Sequence, residues 1–202
     1  MSNAKVDNGV SGMTEANLGG KIQHRKDNCD ELLSVVDEND NLIGAATRTE
    51  VHSSERWHRG VHVLIFDKDG RLLLPIRSPK KDKYPNTYDC SVSGHVAAGD
   101  TYEETAKREM KEELGISRAK LQPLLKLRMN YGKNDNTIAV LFTSSYSGTF
   151  KVDGEEVSSA ELVPISKIRE MVITQKGKFS FWMLEFLKWY FGLPSAVEEL
   201  PF

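Results

Sequence analysis

The sequence predicts an α+β domain with a mixed sheet, and three features predict it. Pairs of short apolar runs joined by turn residues occur twice in the first half of the chain, the pattern of hairpins. A segment from about residue 101 to 114 carries the start and stop signals of a helix. A later segment, about 179 to 191, is apolar around so much of its surface that it has to pack on something. At 202 residues, 39% hydrophobic and 28% charged, the chain suits one domain with a buried core.

In chain order, residues 1–28 are rich in Gly, Asn and Lys with few large apolar side chains. Such a segment cannot offset its ordering entropy, so a disordered tail is expected there, with Met1-Ser2-Asn3-Ala4 read as a cloning remnant. The folded domain is expected over 29–202. Leu32–Val36 and Leu42–Ala45 flank the turn Glu38-Asn39-Asp40-Asn41, giving a first hairpin. His62–Phe66, the turn Asp67-Lys68-Asp69-Gly70 and Leu72–Ile76 give a second, with Pro75 at an edge or bulge.

Further strands are expected at 89–92, 124–129, 138–144 and 157–163, with helices near 101–114, 166–172 and 179–191 and no internal repeat. On the last helix Phe179, Phe181, Trp182, Leu184, Phe186, Leu187, Trp189, Tyr190 and Phe191 make a stripe that reads first as packing on the sheet. A homodimer contact or a lid over a ligand are the alternatives.

Composition narrows the function classes. A net charge of −2 and a pI near 6.2 give no global attraction to nucleic acid or anionic membrane, so a polyanion has to be recognised locally. Nucleic-acid and membrane partners are therefore not expected. Cys29 and Cys90 are too few for a disulfide framework and lack zinc-site spacing, which suits a reducing cytoplasm. No apolar run reaches the roughly 18 residues of a membrane span, and no secretory leader pattern is visible.

The chemistry is carried by residues 94–116, GHVAAGDTYEETAKREMKEELGI. Thr101 and Glu104 form a capping-box pair, Gly115 suits the position after the last turn, and Ala106, Met110 and Leu114 recur as a packing stripe. At about 100° per residue Glu112 lies about 60° to one side of Glu109 and Glu113 about 40° to the other. Three carboxylates so placed repel one another by a few tenths of a kcal/mol per pair, but offer hard oxygens to a divalent ion. Mg2+ fits such a set because it takes few carboxylates, keeps waters and bridges to phosphate, and Mn2+ fits as well. Arg108 can pair with Glu104 or Glu112 and orient a carboxylate.

This segment resembles the Nudix box through Gly94, Arg108, Glu109, Met110, Glu112, Glu113, Gly115 and Ile116. The resemblance implies an α/β/α sandwich around a mixed sheet and a cation held by Glu109, Glu112 and Glu113. It implies hydrolysis of a phosphoanhydride bond in a nucleoside diphosphate linked to a second group, with one glutamate, inside or outside the box, as base. Asp100 stands where the pattern has glutamate, which shortens a supporting contact by one methylene.

Outside the box the chain is similar to the subgroup that contains isopentenyl diphosphate isomerases. The matching stretches are Val35–Glu38, Trp57-His58-Arg59, Arg77–Lys81, Pro85-Asn86, Asp89–His95 and Phe179–Trp182. Those enzymes protonate carbon with a cysteine two residues before the histidine of Gly94-His95, and Ser93 stands there instead. A hydroxyl is a poor acid for that step. Cys90 is expected to point to the face opposite Ser93 if the strand is regular.

His52, His58 and His95 offer a second metal site of the isomerase kind, His58 and His95 being the better pair, whereas His24 and His62 have no such claim. Arg77, Lys80, Lys81 and Lys83 offer charge to a substrate phosphate, with Arg77, Lys81, His58 and His95 the candidate substrate contacts. Trp57, Tyr88 or Tyr131 can stack a base. The sequence thus favours a hydrolase with a small nucleotide substrate over an isopentenyl diphosphate isomerase, a nucleotide-binding module without catalysis, or an RNA-decapping enzyme.

Overall fold

The computed structural model describes residues 29–202, so the tail expected at 1–28, and with it His24, lies outside the described residues. The strands are β1 (Leu32–Val36), β2 (Leu42–Thr47), β3 (Trp57–Phe66), β4 (Arg71–Arg77), β5 (Val92–His95), β6 (Leu121–Asn130), β7 (Asn136–Ser145), β8 (Val157–Pro164) and β9 (Glu198–Leu200). The helices are α1 (Arg48–His52), α2 (Tyr102–Leu114), α3 (Ile165–Ile173) and α4 (Phe181–Tyr190). The strands form one mixed sheet with the path β2-β1-β3-β7-β6-β9, in which β3 and β7 run parallel over ten residue pairs. Strand β5 lies antiparallel to β3, and β4 joins β8.

Alternation along the central strands sorts the side chains into two cores, as a sheet buried on both faces requires. Val61, Val63, Ile65, Val92, Val140 and Phe142 meet Ala106, Met110 and Leu114 of α2 on one face. Leu64, Ala139 and Leu141 meet Ile168 and Val172 of α3 and Trp182, Met183, Phe186 and Leu187 of α4 on the other. The result is the expected α/β/α sandwich around a mixed sheet.

Helix α2 has the predicted ends. Thr101 Oγ1 accepts from Glu104 N at 3.2 Å while Glu104 Oε2 accepts from Thr101 N at 2.9 Å. At the other end Gly115 sits at φ 68°, where a side chain is disfavoured, and the Gly115 and Ile116 amides donate to the Lys111 and Met110 carbonyls. The apolar last helix packs on the sheet, as its stripe predicts.

Three expectations need correction. The second pair of runs is a corner rather than a full hairpin. Only Phe66 and Leu72 pair between β3 and β4, and β4 spends its hydrogen bonds on β8 from Arg71 to Arg77. The strand expected at 89–92 begins only at Val92, because Ser91 turns its hydroxyl onto the Leu73 carbonyl and the Ile65 amide. Finally, α1 and β9 were not anticipated, although Thr47 and Glu50 form a second capping box at the start of α1. Among the described residues no helix is long and apolar enough to cross a membrane.

Candidate active site

A cleft of about 1560 Å³ opens beside β5, and it gathers most of the residues singled out by the sequence. Glu109, Glu112, Glu113, Arg108 and Gly94 line one wall, Arg77, Lys81 and Lys83 another, and His52, His95 and Asp135 a third.

The carboxylate wall is built by close approach of α2 to β5. A Cβ on Gly94 would stand 2.7 Å from the Glu109 carboxyl group, so only glycine lets this carboxyl lie against the strand. Along α2 the acids are graded by burial, with side chains 60% exposed at Glu112, 13% at Glu109 and only 6% residue exposure at Glu113. Burial pushes the Glu109 carboxyl up to about 7, against the pull of Arg108 and with help from Glu112. Glu113 is pushed well above its ordinary value by burial first, then by Glu109, Glu156 and Asp89.

This wall should make stability depend on pH. Glu109 is raised from 4.5 to about 7 on folding, so the stability it contributes is complete below about 4.5 and lost as pH rises through 7. The metal-free protein is expected to lose on the order of 3 kcal/mol from this group between pH 4.5 and 8. Urea unfolding in chelator at both pH values measures it, and a divalent cation should restore stability at pH 8. A flat profile in chelator would remove Glu109 from the set of buried acids.

Arg108 forms an ion pair with Glu109 Oε1 at 2.8 Å and donates to Glu112 Oε2 at 3.4 Å. Its expected pairing with Glu104 does not form, because Glu104 is occupied by the Thr101 cap. Asp100 Oδ2 lies 3.9 Å from Arg108 Nε, too far for a hydrogen bond, while Arg108 Nη2 is buried without a hydrogen-bond partner. The missing methylene is visible as this gap. Asp100→Glu is therefore expected to raise kcat/KM about threefold by fixing the guanidinium, and steady-state kinetics that show no gain would deny Asp100 an orienting role.

The basic stretch is distributed over four carboxylates: Arg77 pairs with Asp89, Lys80 with Glu155, Lys81 with Glu156 at 3.0 Å and Lys83 with Asp135 at 2.6 Å. Arg77, Lys81 and Lys83 line the cleft, where a phosphate can replace a carboxylate partner, and Lys80 does not.

The histidine wall, among the described residues, brings three ligand side chains together. His52, His58 and His95 each turn one ring nitrogen into a space where the three lie within 4.8 Å of one another. His52 Nε2 and His95 Nε2 are 3.2 Å apart, and Asp135 Oδ1 lies 3.7 Å from both His52 Nδ1 and His58 Nε2. Burial pushes all three rings below their ordinary value, His58 to about 4, so they are neutral near pH 7, with His95 Nδ1 accepting from Arg48 at 3.2 Å. The cluster is thus suited to a divalent cation, and its three imidazoles favour a borderline ion over magnesium. His58, expected as a substrate contact, is 0% exposed and is not among the residues that line the cleft.

Other expectations are redistributed. Tyr131 lines the cleft, but Trp57 borders a separate hollow beside Val36 and Glu38, and Tyr88 donates to Glu161 instead. The aromatic wall is completed by Trp182, read first as packing on the sheet, whose ring carries the Arg77 guanidinium at 5.1 Å and whose Nε1 donates to Asp89. Cys90 does not point away from Ser93. It precedes β5, so alternation does not govern it, and it is buried on the same side, against Met183 and within hydrogen-bond reach of Ser93. Asp135 and Glu156 were not singled out, since nothing near them in sequence marks a site.

Comparison with known proteins agrees with this geometry. The NUDIX domain model matches residues 56–190. A prenyl-diphosphate phosphatase of Methanosarcina mazei is 34% identical over 152 residues, 74% of this chain and 88% of that protein. An isopentenyl-diphosphate Delta-isomerase of Serratia proteamaculans is 32% identical over 163 residues, covering 79% of this chain and 90% of its own. The crystal structure of DR0079 from Deinococcus radiodurans superposes with a TM-score of 0.67 at 26% identity, over 78% of this chain and 98% of that one.

Proposed function

The chain belongs to the Nudix family as a hydrolase of phosphoanhydride bonds, and from that premise we propose that it is a magnesium-dependent pyrophosphohydrolase of nucleoside diphosphates linked to a second group. The observation that carries this reading is the meeting of Glu109, Glu112 and Glu113 with Arg77, Lys81 and Lys83 in one cleft. Carboxylates hold the cation and the basic side chains hold phosphate oxygens, so a polyanion is bound by a chain with no net positive charge.

In this reading Glu109, Glu112 and Glu113 hold Mg2+, or Mn2+ in its place. When bound, such an ion neutralises phosphate charge and makes a coordinated water more acidic. Arg108 keeps the Glu109 carboxyl turned toward the cleft through its 2.8 Å contact. Glu113, or Glu156 beside it, takes the proton from the attacking water, since both carboxyl groups line the cleft and a bound cation would hold them ionised. Arg77 and Lys81 receive the substrate phosphates, Lys81 by exchanging the Glu156 carboxylate for a phosphoryl oxygen. His52, His58, His95 and Asp135 hold a second cation at the same cleft, and the protein works in a reducing cytoplasm.

A second reading keeps the hydrolysis but replaces the nucleoside by an isoprenoid chain. It is favoured by the two relatives whose names concern prenyl and isopentenyl diphosphates, and by the Trp182 and Tyr131 rings that line the cleft. Isomerisation is not supported, since Ser93 replaces the acid and Cys90 is sealed in the core with its thiol pushed well up by burial. The test is product release from nucleoside di- and triphosphates, nucleotide sugars, dinucleotides and prenyl diphosphates, with Mg2+, Mn2+ or chelator. Metal-dependent release from nucleotides supports the first reading and release from prenyl diphosphates the second. Tight binding with no product would leave a binding module.

A further inference from the structure

Neither ligand set uses His62, although it sits at the floor of the cleft. His62 and Ser93 are directly opposed across β3 and β5, so their side chains share the sheet face that carries His58 and His95. His62 Nδ1 lies 3.0 Å from Ser93 Oγ, and its Nε2 lies 2.9 Å from Tyr131 Oη. All three residues line the cleft. The ring is wedged edge-on against Phe186 at 4.8 Å, so it has little room to turn.

His62 is buried and its pKa is pushed down to about 4, so the imidazole is neutral and has one donor and one acceptor nitrogen. The hydrogen bonds decide which is which. Among the described residues Tyr131 Oη meets only His62 Nε2, and a buried hydroxyl needs an acceptor for its proton. Nε2 therefore accepts, Nδ1 carries the hydrogen, and Ser93 Oγ accepts from it. The Ser93 proton is thereby directed away from the ring. On one side it finds the Cys90 sulfur, a weak acceptor; on the other lies the cleft.

We propose that Ser93 donates its hydroxyl proton in a hydrogen bond to a diphosphate oxygen of the substrate, and that His62 and Tyr131 are positioning residues that hold it in that orientation. The assignment rests on reading the cleft as a diphosphate site. A hydroxyl that already accepts from an N–H is polarised and becomes a better donor to an anion. No proton changes owner, so the device adds an anion contact without adding a charge. The residue that denies this chain a carbon acid thus gives it a phosphate contact.

The experiment compares the full chain with Ser93→Ala, Tyr131→Phe, the double variant and Ser93→Thr, in Mg2+. Each is titrated calorimetrically with inorganic pyrophosphate and melted thermally. Ser93→Ala should weaken affinity about tenfold and Tyr131→Phe about threefold. The double variant should be no weaker than Ser93→Ala, because Tyr131 acts only through Ser93, and Ser93→Thr should restore affinity. Unchanged affinity in Ser93→Ala, losses that multiply in the double variant, or no pyrophosphate binding by the unaltered protein would each overturn the assignment. A purely structural role would lower the melting temperature and leave affinity alone. Failure of the hydrolase reading shows separately, as turnover that survives Glu113→Gln.

Discussion

Glu113→Gln is expected to lower kcat by roughly a thousandfold, about 4 kcal/mol of barrier, while the folded state is kept or strengthened. The two halves of this expectation have one cause. Glu113 is buried with its carboxyl pushed up by desolvation and by Glu109, Glu156 and Asp89, so the charged form is the costly one. An amide of the same shape removes that cost and also removes the oxygen charge needed for a cation or a proton. Single-turnover assays with Mg2+, set beside thermal melting, measure both halves. Wild-type turnover in this variant would sink the assignment of chemistry to α2.

Gly94→Ala is expected to cut kcat about a hundredfold with little change in melting temperature. The added methyl would fall 2.7 Å from three Glu109 atoms, and a side chain gives way more cheaply than the strand. Glu109 must then swing off β5 and loosen its 2.8 Å contact with Arg108. A displacement of this size at a reacting group costs on the order of 10²-fold. If kcat is retained while the protein is destabilised, the close approach serves packing instead.

What the sequence disclosed follows from the range of the interaction. The ends of α2 were legible because caps are local, with Thr101, Glu104 and Gly115 each acting within a turn of its own position. That β3 and β7 are strands was legible from their short apolar runs, 62–66 and 138–142, and a run with so little polar interruption is what a strand buried on both faces carries. The β3–β4 corner was not, since runs either side of a turn look alike whether they pair with each other or, like β4, with a distant strand such as β8. Strand β9 is three residues with two glutamates, held in register by β6 and by Arg128 gripping Glu198, neither of which its own sequence announces.

The site divides in the same way. Glu109, Glu112 and Glu113 sit within five residues of one another, and helix geometry alone puts them on one face. His52, His58 and His95 come from α1, β3 and β5 and were recognised as candidates, while their Asp135 neighbour comes from the turn between β6 and β7. Glu156 and Trp182 reach the cleft from still later elements, so only the assembled fold brings them to it. Cys90 departs from the expected face because it lies ahead of Val92, the first residue of β5, where strand alternation does not hold.

Strand β5 has only four residues, and their parity assigns their duties. Val92 and Gly94 face α2 and its acids; Ser93 and His95 face the imidazoles and α4. Point changes on either parity can therefore be explored almost separately, so that one side's chemistry drifts while the other's is preserved. Insertion or deletion of a single residue just ahead of β5 would exchange the two sides at once, presenting side chains where α2 needs a glycine and a glycine where the imidazoles need a partner. Length changes next to β5 should accordingly be rarer in descendants of this chain than a replacement at any one of its four positions.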